Sequence, residues 1–186
     1  TLVMGIVNVT PDSFSDGGLW LDPGQAVDHA LALAVAGADL LDIGGESTRP
    51  GASELAADQE MVRVLPVVRS LCRQVQIPVS VDTYKVEVAR AALDQGATVV
   101  NDVSGLLYEP ALAGVVASHA AALVLMHNRG RSRDMYRDAT YADVGAEVAG
   151  ELGDRLSEAV AAGMDRNRII VDPGLGFGKR ADHSYA

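Results

Sequence analysis

Six short apolar runs alternate with segments of helical spacing, and that alternation constrains the chain more than anything else in it. The runs cover residues 2–9, 40–43, 79–81, 98–100, 122–126 and 169–171. Each is apolar on both sides, as strands buried between two layers are. Between them, Val27, Ala30, Leu31, Ala34 and Val35 form one helical stripe. A second runs through Met61, Val64, Leu65, Val68, Leu71, Cys72 and Val75, and a third through Val144, Val148, Leu152, Leu156, Ala159 and Val160. Shorter helices fit residues 85–95 and 110–118. Asp22-Pro23 supplies a cap and a first helical residue. Gly37, Gly96 and Gly163 each close a helical pattern a few residues before a strand, where glycine readily adopts the left-handed backbone that ends a helix.

Repeated βα units leave a doubly wound open sheet or a (β/α)8 TIM barrel. A doubly wound nucleotide fold would carry a glycine fingerprint. The one glycine-rich run, Gly174-Leu-Gly176-Phe-Gly178-Lys179, has Lys179 in place of the third glycine of G-x-G-x-x-G. It also lacks the first glycine and the Ser or Thr of a P-loop. A barrel needs eight strands and typically ~250 residues; this chain of 186 shows about six βα units. The expectation is a single barrel domain over residues 1–186 whose last quarter lies beyond the sixth strand.

Composition narrows the function. At 48 % hydrophobic the chain can bury a core, with Ala, Val, Leu and Ile rather than aromatics filling it. A net charge of -10 argues against a nucleic-acid surface, since phosphate neutralisation needs clustered Lys and Arg. The lone Cys72 excludes a disulfide framework and suits a reducing compartment, and its place on a helical stripe suits a small buried hydrophobe. No uncharged apolar run reaches the ~20 residues of a membrane span and no signal peptide is visible, so a soluble cytoplasmic protein is expected.

The strands end in polar residues at the same relative place: Asn8, Asp42 with Glu46 close behind, Asp82, Asn101-Asp102, His127-Asn128 and Asp172. In a parallel α/β protein such positions converge on one face. A set rich in carboxylates and amides suits a ligand edge rich in N–H donors, because one carboxylate accepts two parallel hydrogen bonds. Val103, Met126 and Phe177 are candidate walls of a slot for a flat ring. His127 fits a satisfied core group better than a ligand contact. Lys179 is a candidate for phosphate or for the fold, and the basic run 129–133 fits a solvated loop.

Several of these motifs together resemble dihydropteroate synthases, members of the pterin-binding enzymes. They are Asn8-Val-Thr-Pro-Asp-Ser-Phe-Ser-Asp-Gly-Gly18, Asp42-Ile-Gly-Gly-Glu-Ser-Thr-Arg-Pro-Gly51, Val81-Asp-Thr-Tyr-Lys85, Val100-Asn-Asp-Val-Ser-Gly105, Leu125-Met-His127 and Asp172-Pro-Gly-Leu-Gly-Phe-Gly-Lys179. They follow the family's order and cover nearly the whole chain; the first two together are highly specific. The resemblance implies a barrel enzyme of folate synthesis that joins 6-hydroxymethyl-7,8-dihydropterin diphosphate to p-aminobenzoate and releases diphosphate. It implies pterin contacts at Asp82, Asn101 and Asp172, with Val103, Met126 and Phe177 lining the ring and Asn8 as a ligand of Mg2+. Thr48, Arg49 and Pro50 resemble a mobile loop that closes over diphosphate and p-aminobenzoate. Asp12 and Phe14 lie in the loop after the first strand, read as a lid with Phe14 over the aminobenzoate ring. A homodimer, a lysine segment after the seventh strand and an Arg-x-His segment after the eighth are implied as well. Two rival activities share parts of the pattern: a methyltetrahydrofolate:corrinoid methyltransferase, and a homologue that binds pterin without turnover. The first would have no use for residues 8–16 or 46–50, and the second would lack the later lysine, arginine and histidine segments.

Overall fold

All six apolar runs become parallel strands of one sheet. The computed structural model describes residues 1–10, 22–49, 51–131, 133–134, 136–137 and 139–185. Strand β1 (Met4–Asn8) is followed by α1 (Pro23–Val35), β2 (Leu40–Gly44) by α2 (Ala57–Gln74), and β3 (Val79–Asp82) by α3 (Val86–Asp94). Then come β4 (Val99–Asp102), α4 (Leu112–Ser118), β5 (Ala122–Met126), α5 (Val144–Ala161), β6 (Ile169–Asp172) and the short α6 (Ala181–Ser184). The strands lie side by side in chain order, β1 to β6, each parallel to the next. A doubly wound sheet reverses its strand order at a switch point. None occurs among the described residues, so the arrangement is that of a partial (β/α)8 barrel.

The local signals act as their chemistry requires. The Asp22 carboxylate accepts from the Gly24 amide, and Pro23 stands at the head of α1, where its missing N–H is not needed. Gly37, Gly96 and Gly163 all have φ above +100°, as their place after α1, α3 and α5 demands. The helices press one face against Val7, Leu41, Ile43, Val81, Val100, Leu123 and Leu125, the outer face of the sheet. Val64, Val67, Val68 and Leu71 of α2 form the most deeply buried helical stripe, and Cys72 is partly buried beside them. The first stripe runs one residue too far: Val35, the last residue of α1, is 90 % exposed. Among the described residues no helix is long and apolar enough to cross a membrane.

Strand pleating sends alternate residues to opposite faces. The register places Asn8, Gly44, Asp82 and Asn101 across from one another in a single row. Ile6, Asp42 and Ser80 form the row beneath. Farther along, Met126 pairs with Asp172 on the same inner face. Asp102 follows Asn101 directly and therefore points outward, into the helix layer.

Candidate functional site

The inner row at the carboxyl ends is the point where the polar residues converge. Gly44 separates Asn8 from Asp82. A methyl group built there would meet Asp82 Oδ2 at 3.3 Å and Asn8 Oδ1 at 3.5 Å. The absent side chain thus leaves a gap lined by two oxygens. Below it, Asn101 donates from Nδ2 to Asp42 Oδ2 at 2.8 Å. Asp42 is only 3 % exposed, and its Oδ1 and the buried Ser80 Oγ have no hydrogen-bond partner among the described residues. A buried acceptor left this way costs on the order of 1–3 kcal/mol, so the inner face holds unspent hydrogen-bonding capacity.

The electrostatics point the same way. Burial pushes the Asp82 carboxyl well above the ordinary carboxylate range, and Asp42, Glu60, Asp102 and Glu46 push it further, all of them negative. Asp42 is raised too, chiefly by burial, with the hydrogen bond from the Asn101 amide among the effects that oppose the rise. A ligand that brings N–H donors or positive charge to this face relieves both effects.

Asp172 closes the far side. Its Oδ1 accepts from Gly174 N at 2.7 Å and its backbone oxygen from His127 N at 2.8 Å. Gly174, at φ +65°, lets the following loop pass so close to β5 that a Cβ would stand 2.2 Å from the His127 carbonyl oxygen. That approach sets Phe177, half-buried, over the same end of the sheet as Met126, which is buried; Val103 is buried just past β4. Thr48 is half-buried and Arg49 exposed in the loop between β2 and α2. Asp12, Phe14 and Pro50, with the lid proposed for the loop after β1, lie outside the described residues. A cavity of about 480 Å³ opens beside the strand ends, lined by Glu46, residues 51–54, Tyr84, Tyr108 and Arg133.

Several polar residues prove to have other partners. Asp102 faces outward and accepts from the Ser104 and Leu106 amides at 2.8 and 2.7 Å. It braces a turn in which Gly105 and Leu106 both have positive φ, so it belongs to the fold rather than to the ring of strand-end groups. Lys179 is turned inward: its Nζ donates to the carbonyls of Phe177 and Gly174 at 3.0 and 3.1 Å and lies 2.8 Å from His127 Nδ1. Burial lowers the Lys179 pKa to about 8, against the pull of Asp172. His127 is a satisfied core group, with its Nε2 3.0 Å from Glu151. The basic run is not a free solvated loop either. Arg129 is paired with Glu147 and Glu151 and stacks 3.9 Å over the Tyr141 ring, and Arg131 is paired with Glu54.

One further cluster left little trace in the order of residues. Lys85, 7 % exposed, is ion-paired with both Glu46 and Glu60. Glu46 also accepts from the Tyr84 hydroxyl at 3.0 Å and from the Leu55 amide at 3.3 Å. Burial alone would lower the Lys85 pKa, but hydrogen bonds to the two carboxylates raise it. The only available signal was the Lys85 at the end of a strand-end motif, with acidic residues after β2 and at the start of α2.

Comparison with known proteins agrees with this geometry. A family model described as pterin binding enzyme matches residues 4–186. The dihydropteroate synthase of Mycobacterium leprae is 50 % identical over 185 residues, 99 % of this chain and 65 % of that protein. The crystal structure of Yersinia pestis dihydropteroate synthase with a sulfonamide drug superposes with a TM-score of 0.92 at 42 % identity, covering 99 % of this chain and 66 % of the other. That of Xanthomonas albilineans dihydropteroate synthase with 7,8-dihydropteroate gives 0.85 at 45 % identity, covering 99 % and 64 %. The chain therefore spans less than two thirds of the length of the Mycobacterium leprae protein.

Proposed function

We propose, for a chain that belongs to the pterin binding enzyme family, the synthesis of dihydropteroate from 6-hydroxymethyl-7,8-dihydropterin diphosphate and p-aminobenzoate. The observation that carries the proposal is the row of Asn8, Gly44, Asp82 and Asn101, in which the one carboxyl, that of Asp82, is raised by burial and by carboxylates outside the row, Asp42 foremost. The dihydropteroate bound by the Xanthomonas albilineans enzyme supports it.

In the reaction the C–O bond between the pterin methylene and diphosphate breaks, and its electron pair leaves with the oxygen. The amine nitrogen of p-aminobenzoate then forms the C–N bond and gives up a proton. Positive charge develops on the pterin between the two events. Asp82 is the catalytic residue for that charge: its carboxylate binds a ring N–H and stabilises the cation, and the ligand in turn favours its ionised form. Asn101 and Asp172 bind the donor-rich edge of the ring and fix its orientation. Met126, Val103 and Phe177 hold the flat faces and keep water from the cation. Arg49 and Thr48 act on the departing diphosphate, for which a guanidinium fork is well shaped.

Asn8 would hold Mg2+. The gap above Gly44, open to Asn8 Oδ1 and Asp82 Oδ2, fits a hard cation that takes few oxygen ligands from protein and the rest from phosphate and water. Bound there, the ion would neutralise charge on the leaving diphosphate. Sulfonamides, as in the Yersinia pestis complex, are expected to compete with p-aminobenzoate. A cytoplasmic homodimer is proposed on the resemblance alone.

The test is dihydropteroate formation with and without Mg2+, with Asp82→Ala and Arg49→Ala beside the parent. Losses of ~10³-fold and ~10²-fold respectively are expected from removing charge stabilisation and a leaving-group contact. Normal turnover in both variants would overturn the assignment.

A further inference from the structure

The cluster of Lys85, Glu46 and Glu60 holds none of the groups assigned to substrate, yet it lies beside Asp82, whose carboxyl its two glutamates help to raise. Its three members come from three places. Lys85 lies between β3 and α3, Glu46 opens the loop after β2, and Glu60 lies on α2. Glu60 is 1 % exposed, and its second oxygen has no hydrogen-bond partner among the described residues. Two carboxylates and one lysine in such a place are costly to desolvate, and only good geometry offsets that. The geometry is directed at one loop. Glu46 reaches across it to the Leu55 amide, while Arg63 of α2 donates to the Gly45 carbonyl at 2.9 Å. Thr48 and Arg49 lie in sequence between Glu46 and Leu55.

We infer that Lys85 is a positioning residue: it draws Glu46 onto Glu60 and so fixes the base of the loop that presents Thr48 and Arg49. Lys85 touches no substrate and acts through Glu46. A loop held at its base brings Arg49 to the diphosphate already oriented; a loose one must be ordered at each encounter. The kinetic part of this inference rests on the dihydropteroate proposal, whereas the clamp itself does not.

Amide hydrogen exchange in the purified protein tests the clamp. Glu46→Ala keeps the buried Lys85–Glu60 pair, so it serves as the variant least apt to unfold; Lys85→Met and Lys85→Arg accompany it. Peptides covering 46–55 are expected to exchange at least ~10-fold faster in Glu46→Ala and Lys85→Met, with α5 unchanged and Lys85→Arg restored to within ~2-fold. Unchanged exchange of 46–55 in a folded Glu46→Ala protein would overturn the inference, as would equal acceleration in α5. In kinetics, Glu46→Ala should raise KM for the pterin diphosphate ~10-fold while its affinity for 6-hydroxymethylpterin, which lacks the diphosphate, stays within ~2-fold of the parent. Equal weakening of both ligands would count against a loop clamp. If the parent protein makes no dihydropteroate, the functional proposal fails, and the exchange result alone decides on the clamp.

Discussion

Asp82 and Asp102 are carboxylates at the ends of neighbouring strands, the first half-buried and the second fully buried, yet they live in opposite worlds. Asp102 lies in the helix layer, and both of its oxygens are taken by backbone amides of its own turn. Asp82 lies on the inner face among like charges. A carboxylate satisfied by its own chain completes a fold, whereas one crowded by other carboxylates is ready for a ligand's donors. Burial raises the pKa of both, but in Asp102 the amides of the turn oppose the rise, and in Asp82 the named neighbours add to it.

Exchanging the charge at each site breaks or sharpens the contrast. The largest effect is expected at Asp82. Asp82→Asn should cost ~10³-fold in turnover, on the order of 4 kcal/mol, while the folded protein becomes more stable at neutral pH. The sign follows from linkage: a carboxyl whose folded pKa is raised binds more protons than its unfolded counterpart across the window between the two values. Stability therefore falls as pH climbs through that window, and the amide removes the fall. Thermal melts at pH 5 and 7 check it; an Asp82→Asn protein no more stable than the parent at pH 7 would end the comparison.

Asp102 should behave in the reverse sense. Asp102→Ala leaves two buried amides unpaired and releases a turn with a left-handed leucine, for an expected loss of about 2–4 kcal/mol. Pterin affinity of the molecules that remain folded should stay within about 2-fold, since Asp102 faces away from the ligand. Urea unfolding and pterin titration together measure this, and a loss of affinity without a loss of stability would contradict it.

The smallest effect concerns Lys179, whose folded pKa of about 8 lies below that of a free lysine. Between those values the unfolded chain holds more protons, so this group makes stability rise with pH from about 8 upward. Near pH 10 the tyrosines oppose it, Tyr108 among them with burial pushing its pKa up to about 12. Lys179→Met should flatten the rise between pH 8 and 10, read as the slope of the unfolding midpoint. An unchanged slope would place the proton elsewhere.

The contrast also shows what a linear sequence reveals. Strand existence, the Asp22-Pro23 helix start and the glycine helix ends are local events, set by residues within a few positions of each other. All of them were legible. The inner row was legible as well, because a strand-end position and a two-residue period are enough to aim Asn8, Asp82 and Asn101. That same period, followed one residue further, would have sent Asp102 outward. The Lys85 clamp was not legible: it joins residues 39 and 25 positions apart, and only the sheet order brings them together. Arg129 and Arg131 were obscured in the same way, since their partners Glu147, Glu151 and Glu54 are distant in sequence. Lys179 was ambiguous because a lysine after a glycine run suits a phosphate and a cage of carbonyls equally well.

The gap over Gly44 has an evolutionary consequence. Any replacement of this glycine puts at least one carbon beside Asn8 Oδ1 and Asp82 Oδ2, where the proposed function would bring metal and pterin diphosphate together. On that proposal, a side chain that evicts an inhibitor from this space would crowd the substrate as well. The exposed loop carrying Arg49 has no such protection and can drift. Resistance should therefore accumulate around the rim of this site and leave its floor untouched.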